Sequence, residues 1–401
     1  MMKFSYALLV LLFGVSEVMN AQNIEGPSLG NGIFKSVAKD STWAMKMGLQ
    51  LQFQGSAEWE EHNNSFSDLE TQFLIRRARL KFDGFIYSPK LTYKIALGLS
   101  NRDMSGASEF TNNAPRYIVD AVVKWNFYEN FELWFGQAKL PGDFETLISS
   151  ANLQFVDRSK LSKSFGIDRD LGLQLRHQLQ FSEHLLIKEA FAVSQGEGRN
   201  VTSKNLGGFQ FTSRLEVYPF GDFTKDGAFI GGDLDREPTP KLALGVAYDF
   251  NDNAVKTGGN QGDYMFTDSG FHETDISTVF VDAVFKYQGF SLLAQYTDRA
   301  ADAPVAINSE GLPTGDVVNV GSGFNVQSGY LFKSNWEVSG RYTNLNLDTP
   351  LTAKNIENQY TLGVSKYIFG HKLKVQSDLS YLNVEDSADQ LMYRLQFAVQ
   401  F

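Results

Sequence analysis

Apolar side chains recur at every second position of this chain in about sixteen separate stretches, and helical spacing is sustained nowhere. In the first, Met45, Met47, Leu49, Leu51 and Phe53 alternate with Lys46, Gly48, Gln50, Gln52 and Gln54. Leu74, Ala78, Leu80 and Phe82 alternate with Arg77, Arg79, Lys81 and Asp83. Leu91, Tyr93, Ile95, Leu97 and Leu99 alternate with Lys90, Thr92, Lys94, Ala96 and Gly98, and Tyr117, Val119, Ala121, Val123 and Trp125 interleave with Asp120 and Lys124. Further stretches lie near 131–138, 169–178, 185–194, 208–218, 241–250, 277–287, 289–299, 323–332, 335–344, 356–367, 371–382 and 390–401. A period of two sends successive side chains to opposite faces, so each stretch is a strand with one apolar and one polar face. One short helical piece is expected near 144–152.

The connectors alternate as well. "YSPK", "YEN", "QG", "KSN" and "FGH" are short; 55–71, 101–115, 139–168, 195–207, 251–275 and 300–321 are long and polar. Short and long in turn is the plan of an outer-membrane barrel, with tight periplasmic turns and long external loops. The expected fold is therefore all-β: a closed antiparallel barrel of 16 strands over residues 43–401, each strand near the roughly 9–11 residues needed to cross a bilayer. Residues 219–239 break the rule, being long on the short-turn side, and are read as a periplasmic excursion. Phe85, Tyr87, Phe127, Tyr128, Phe131, Tyr287, Phe290, Phe332, Trp336, Tyr367 and Phe369 crowd the strand ends beside short turns. Amphipathic rings prefer the headgroup zone, so these form an expected girdle. The final strand runs to the last residue with Tyr393, Leu395, Phe397, Val399 and Phe401 on one face. A closed barrel explains it, since the last strand must pair with the first.

The N-terminus has Lys3, an apolar core and a small residue at Ala21, the pattern of a secretory signal peptide over 1–21. Residues 22–42 are then an N-terminal periplasmic segment. There is no cysteine, so ladder hydrogen bonds, core and membrane must hold the chain. Aromatics reach 13% while mean hydropathy is only −0.23, as strands apolar on one face give. The net charge of −10 argues against nucleic acid as a partner. No G-x-S-x-G, H-E-x-x-H or P-loop occurs, the five histidines (His62, His177, His184, His272, His371) are scattered, and the chain reads as neither an enzyme nor a cofactor protein. "GGDLDRE" offers Asp233 and Asp235 but lacks calcium-loop spacing.

Function then lies in the lumen. Arg77, Arg79 and Lys81 share one face of the second strand, and Lys94, Lys124, Arg176, Arg214, Arg341, Lys374 and Arg394 are likewise out of phase with their apolar neighbours. A cation at the bilayer midplane costs about 2–4 kcal/mol, so all of these face inward. Arg76 is in phase with the lipid face and is expected at the rim. Cations along a pore wall favour anions, guanidinium gripping phosphate in two places. Asp83, Asp120, Glu216 and Asp282 are inward carboxylates that can neutralise them. Three readings stay open: a porin for small anions such as phosphate; a porin without selectivity or for a sugar or peptide; and a non-conducting barrel serving adhesion or structure.

"FLIRRARLKFDG", "ELWFGQAKLPG", "SSANLQFVDRS", "RDLGLQLRH", "TSRLEVYPFG", "QYTLGVSKYIFGHKLKVQSDLSY" and the closing strand resemble, in order and spacing, the phosphate-selective porin O and P family. The resemblance covers most of the chain after the leader. It implies a sixteen-stranded, trimeric outer-membrane porin whose third external loop folds into the lumen. Here that loop is 139–168, with Lys139, Arg158, Lys160 and Lys163, the last two expected to face the Arg77–Lys81 set. The closing strand resembles those of bacterial outer-membrane proteins, which implies that Tyr393, Phe397 and Phe401 are read by the barrel-assembly machinery.

Overall fold

The computed structural model describes residues 29–62, 65–104, 106–352 and 354–401. The expected signal peptide lies outside the described residues. Seventeen strands form one antiparallel sheet. Sixteen make a closed barrel: β1 (Trp43–His62), β2 (Ser65–Ile86), β3 (Ser88–Gly98), β4 (Ile118–Tyr128), β5 (Phe131–Lys139), β6 (Arg169–Ser182), β7 (Leu185–Ser194), β8 (Gln210–Tyr218), β9 (Lys241–Ala254), β10 (Thr274–Tyr287), β11 (Phe290–Ala301), β12 (Gly321–Leu331), β13 (Trp336–Leu347), β14 (Glu357–Phe369), β15 (Leu373–Val384) and β16 (Gln390–Gln400). The seventeenth, Phe34–Val37, lies within the expected periplasmic segment and pairs with the start of β1.

Each barrel strand pairs with its chain neighbours, and β16 closes on β1 with Phe397 opposite Phe53 and Gln400 opposite Gln50. The backbone N–H of Phe401 donates to the carbonyl of Leu49 at 2.9 Å. Tyr393, Leu395, Phe397 and Phe401 point outward, while Arg394 and Gln396 are buried inside. Closure leaves no unpaired edge in an apolar surround, which is what lets a sheet sit in lipid. At the β10–β11 turn Gln288 (φ 47°) and Gly289 (φ 92°) are both left-handed, as a two-residue hairpin turn needs to match strand twist.

Three expectations change. The stretch 55–71 is not a loop, because β1 and β2 continue as a paired ribbon as far as His62 and Ser65. Tyr367 is not in the girdle: its side chain is buried inward, in phase with Gln359, Thr361, Gly363 and Ser365, its hydroxyl donating to Glu337 Oε2 at 2.6 Å. The connector 219–239 does not hang outside the barrel. Phe223 and Ala228 are buried in one apolar cluster with Phe144, Ile148 and Leu153 of the loop 139–168 and with inward residues of β9, β10 and β11.

The loop 139–168 crosses the lumen. It contains two short helices, Phe144–Leu147 and Lys160–Phe165, the first at the start of the stretch expected to be helical. It lies against the β11–β16 side of the wall. Lys374 Nζ donates to the carbonyl of Leu153 at 2.8 Å, Gln376 Nε2 to that of Gln154 at 2.8 Å, and Arg341 to that of Asp157 at 3.0 Å. Gly363 of β14 permits the seat, for a Cβ there would lie 3.0 Å from the Phe155 ring.

Candidate functional site

The second strand does not hold a simple ladder of cations. Between β1 and β2 the register steps from Gln52–Arg77 to Phe53–Ile75, leaving Arg76 as the extra residue of a β-bulge. A bulge re-aims a side chain locally. Arg76 therefore turns into the lumen rather than to the rim, and its guanidinium donates to both oxygens of Asp157, at 3.1 and 3.2 Å. Past the bulge the parity shifts, so Phe73 and Ile75, rather than Leu74, face outward.

Several of the expected lumen cations are held by partners. Arg77 donates to Gln52 Oε1 at 2.9 Å and lies 3.7 Å from Asp157. Arg79 grips Asp103 in two places, at 2.9 and 2.6 Å. Arg214 is neutralised by Glu216 at 2.6 Å and by both oxygens of Asp282 at 2.9 and 2.7 Å. Arg341 lies 3.7 Å from Glu145. Lys139 and Arg158 are staples of the loop itself: Lys139 donates to the carbonyls of Leu147 and Ile148 at 3.1 and 3.0 Å, and Arg158 to those of Glu145 and Ile148 at 3.0 and 2.9 Å. Lys163 pairs with Asp157 at 3.3 Å, and Lys160 pairs with Glu357 on β14, away from Lys81.

A different set lines the open wall. Lys81, Lys94, Lys124, Arg176 and Lys188 follow one another across it, with Lys188 paired to Asp222 at 3.1 Å. Lys81 sits opposite Ala96, two residues from Lys94; Lys94 sits opposite Val122, two from Lys124. Lys124 is level with Trp134, and Arg176 is level with Glu132 two residues further on. Lys188 is level with Gln178, two beyond Arg176. The cations thus form a staircase descending toward the short turns. Where it steps one strand across and two residues down, adjacent Cα atoms are about 8 Å apart, from a strand spacing of about 4.8 Å and a two-residue rise of about 6.7 Å.

Lys81 has no hydrogen-bond or ion-pair partner among the described residues. The Lys124 ammonium and the Arg176 guanidinium both lie over the Trp134 ring, at 3.7 and 4.1 Å, and Arg176 also donates to Gln174 at 2.9 Å. Neither is within ion-pair distance of a carboxylate. Lys94 pairs with Asp120 at 2.9 Å yet keeps 43% of its side chain exposed. These residues border a cavity of about 500 Å³ lined by nine lysines and arginines against five carboxylates. Sequence reasoning missed Trp134, Arg169 and Lys188 here. The signal for Trp134 was present, since it is out of phase with Leu133 and Phe135 and so belongs to the polar face. Asp233 accepts from the backbone N–H groups of Glu237 and Gly289, and Asp235 from Lys225.

A sequence model of one family, phosphate-selective porin O and P, matches residues 45–401. The chain belongs to this family. Porins of this kind are outer-membrane channels, and the family and the fold point to a channel rather than an enzyme. Solved structures with the same fold include an anion-selective porin from Comamonas acidovorans (11% identity, 90% of this chain and 100% of that one, TM-score 0.53). The outer-membrane channel DcaP of Acinetobacter baumannii is similar at 12% identity, over 90% of this chain and 99% of that one, with TM-score 0.51. The trimer form of OmpT, an outer membrane protein of Vibrio cholerae, is similar at 13% identity, over 89% and 99%, with TM-score 0.51. No curated protein sequence matches the chain.

Proposed function

We propose that this porin passes small anions, phosphate or related oxyanions, and that they travel down the staircase Lys81, Lys94, Lys124, Arg176, Lys188. The observation that carries the reading is that Lys81, Lys124 and Arg176 lie on one stretch of wall without a carboxylate partner, while Arg79, Arg214 and Arg394 are each paired with a carboxylate. Cations without carboxylate partners attract anions, and steps of about 8 Å, about 12 Å where Lys124 and Arg176 lie two strands apart, let one site release as the next engages, which conduction needs. Arg176 offers phosphate two parallel donors; the lysines act as point charges. The family's printed description and the Comamonas acidovorans neighbour support the direction of the preference. The trimer form of the Vibrio cholerae neighbour supports a homotrimer.

Block of chloride current by added phosphate in a planar bilayer tests the reading. Phosphate at millimolar concentration is expected to reduce wild-type current at low salt. Lys81→Gln, Lys124→Gln and Arg176→Gln should each weaken the block, and Arg77→Gln should weaken it least because its charge is already paired. Equal block in wild type and in all three variants would remove phosphate from the staircase.

A further inference from the structure

We propose that the connector 219–239 is the floor of the pore: it folds up from the periplasmic side, locks onto the loop 139–168, closes the β9–β16 side of the lumen, and so confines solutes to the wall of β2–β7. The inference rests on the chain being a channel, not on its preferring anions.

Three sets of contacts fix the connector. Lys286 of β10 points inward and donates to the carbonyls of Gly227 at 2.7 Å, of Ile230 at 2.6 Å, and of Gly232. Asp233 accepts from Gly289 N–H of the β10–β11 turn at 2.7 Å. His371, in the β14–β15 turn, bonds through Nε2 to the carbonyl of Gly231 at 2.8 Å, while its Nδ1 accepts from Lys374 at 3.0 Å. One ammonium therefore gathers three carbonyls of a segment that has little secondary structure of its own, and buried backbone groups that would otherwise lack partners are satisfied.

The connector also meets the constriction loop directly. Gly231 N–H donates to the carbonyl of Asn152 at 2.7 Å, and the Phe229 ring stacks on Phe144 at 5.0 Å. A Cβ at position 231 would lie 2.3 Å from the backbone nitrogen of Gln154, so the two chains touch backbone to backbone. The consequence shows in accessibility. Val284 and Lys286 of β10 and His371 of the β14–β15 turn, against which the connector packs, are at most 7% exposed, whereas Lys94 on the opposite side keeps 43% of its side chain open. A sixteen-stranded barrel is wide enough for a broad aqueous channel. Here two inward segments fill one side of it.

Two experiments test this. Replacing 222–238 by Asn-Gly should raise single-channel conductance by about two-fold as open cross-section is regained, and admit neutral oligosaccharides that the wild type excludes in liposome swelling. A folded, heat-modifiable variant with wild-type conductance and size limit would overturn the proposal. If that variant does not insert, thiol labelling decides, because the chain has no cysteine of its own. Lys94→Cys should react with a small methanethiosulfonate from the aqueous phase and lose current stepwise, and Val284→Cys, covered by Phe223 and Ala228 of the connector, should not react. Reaction of Val284→Cys at a rate near that of Lys94→Cys would show that the connector does not close that side. Neither readout depends on the sign of the permeating ion, so failure of the anion reading would leave this result standing.

Discussion

Asp157 sits where the constriction loop meets the wall. Its carboxylate takes Arg76 at 3.1 Å, Lys163 at 3.3 Å and Arg77 at 3.7 Å. Burial alone would push its carboxyl up, but Lys163, Arg76 and Arg77 outweigh burial and hold it well below the usual carboxylate range. A lowered folded value means that the group stabilises the folded loop above its unfolded value, about 4, and that this is lost as pH falls toward the folded one. Single-channel conductance should therefore be steady from neutral down to about pH 5, with loosening of the loop only below about pH 4. Asp157→Asn brings the same loosening to neutral pH. Removing one partner of a buried ion pair costs about 3–5 kcal/mol, so the variant should lose its heat-resistant gel migration at a lower temperature and show noisier current. An Asp157→Asn channel as quiet and as heat-resistant as wild type would show that the loop is held by its other contacts alone.

At the scale of elements, the bulge at Arg76 separates what a period of two can tell from what it cannot. Alternation located every barrel strand, because lipid on one side and water on the other force it. It misplaced Arg76 because a single unpaired residue reverses parity, and a bulge leaves no mark in composition; Tyr367, read as a girdle ring from its place at a strand end, is inward by the regular phase of Gln359, Thr361 and Ser365. The structure gives this bulge a purpose: Ile75 faces out and Arg77 faces in, so deleting Arg76 would restore strict alternation and remove only one inward cation. The Arg76 deletion is therefore expected to fold and insert as wild type does, with heat-modifiable migration intact, and to differ only in a looser constriction. A deletion that fails to insert would mean that the bulge is needed for the barrel itself. At the other end of the sheet, Phe401 donates its N–H to the first strand and shows its ring outward. Deleting Phe401 should slow insertion, followed as the rate at which the folded gel band appears. An unchanged rate would make the terminal ring incidental to assembly.

For the whole molecule, the barrel and its closure were legible because they follow from the environment that the sheet must meet. The interior was legible only in part. Inward phase identified Lys81, Lys94, Lys124 and Arg176, but their order as a staircase depends on register across five strands. Which cations remain open depends on Asp103 and Asp157, carried by loops far from Arg79 and Arg76 in sequence. The inward turn of 219–239 was hidden for the same reason: its stabilising contacts come from Lys286, His371 and Asn152, none of them local. The resulting molecule carries a net charge of −10 but a corridor with more cations than carboxylates, so the corridor and the chain as a whole carry opposite balances. Screening over about 8–10 Å at physiological salt confines that difference to the corridor itself. The measurement that bears most directly on this account is the reversal potential under a KCl gradient at low salt, for wild type and for the combined Lys81→Gln, Lys124→Gln, Arg176→Gln variant. Wild type is expected to give an anion-selective potential and the variant a shift toward cations. A wild type that is cation-selective, or a variant with an unchanged potential, would contradict it.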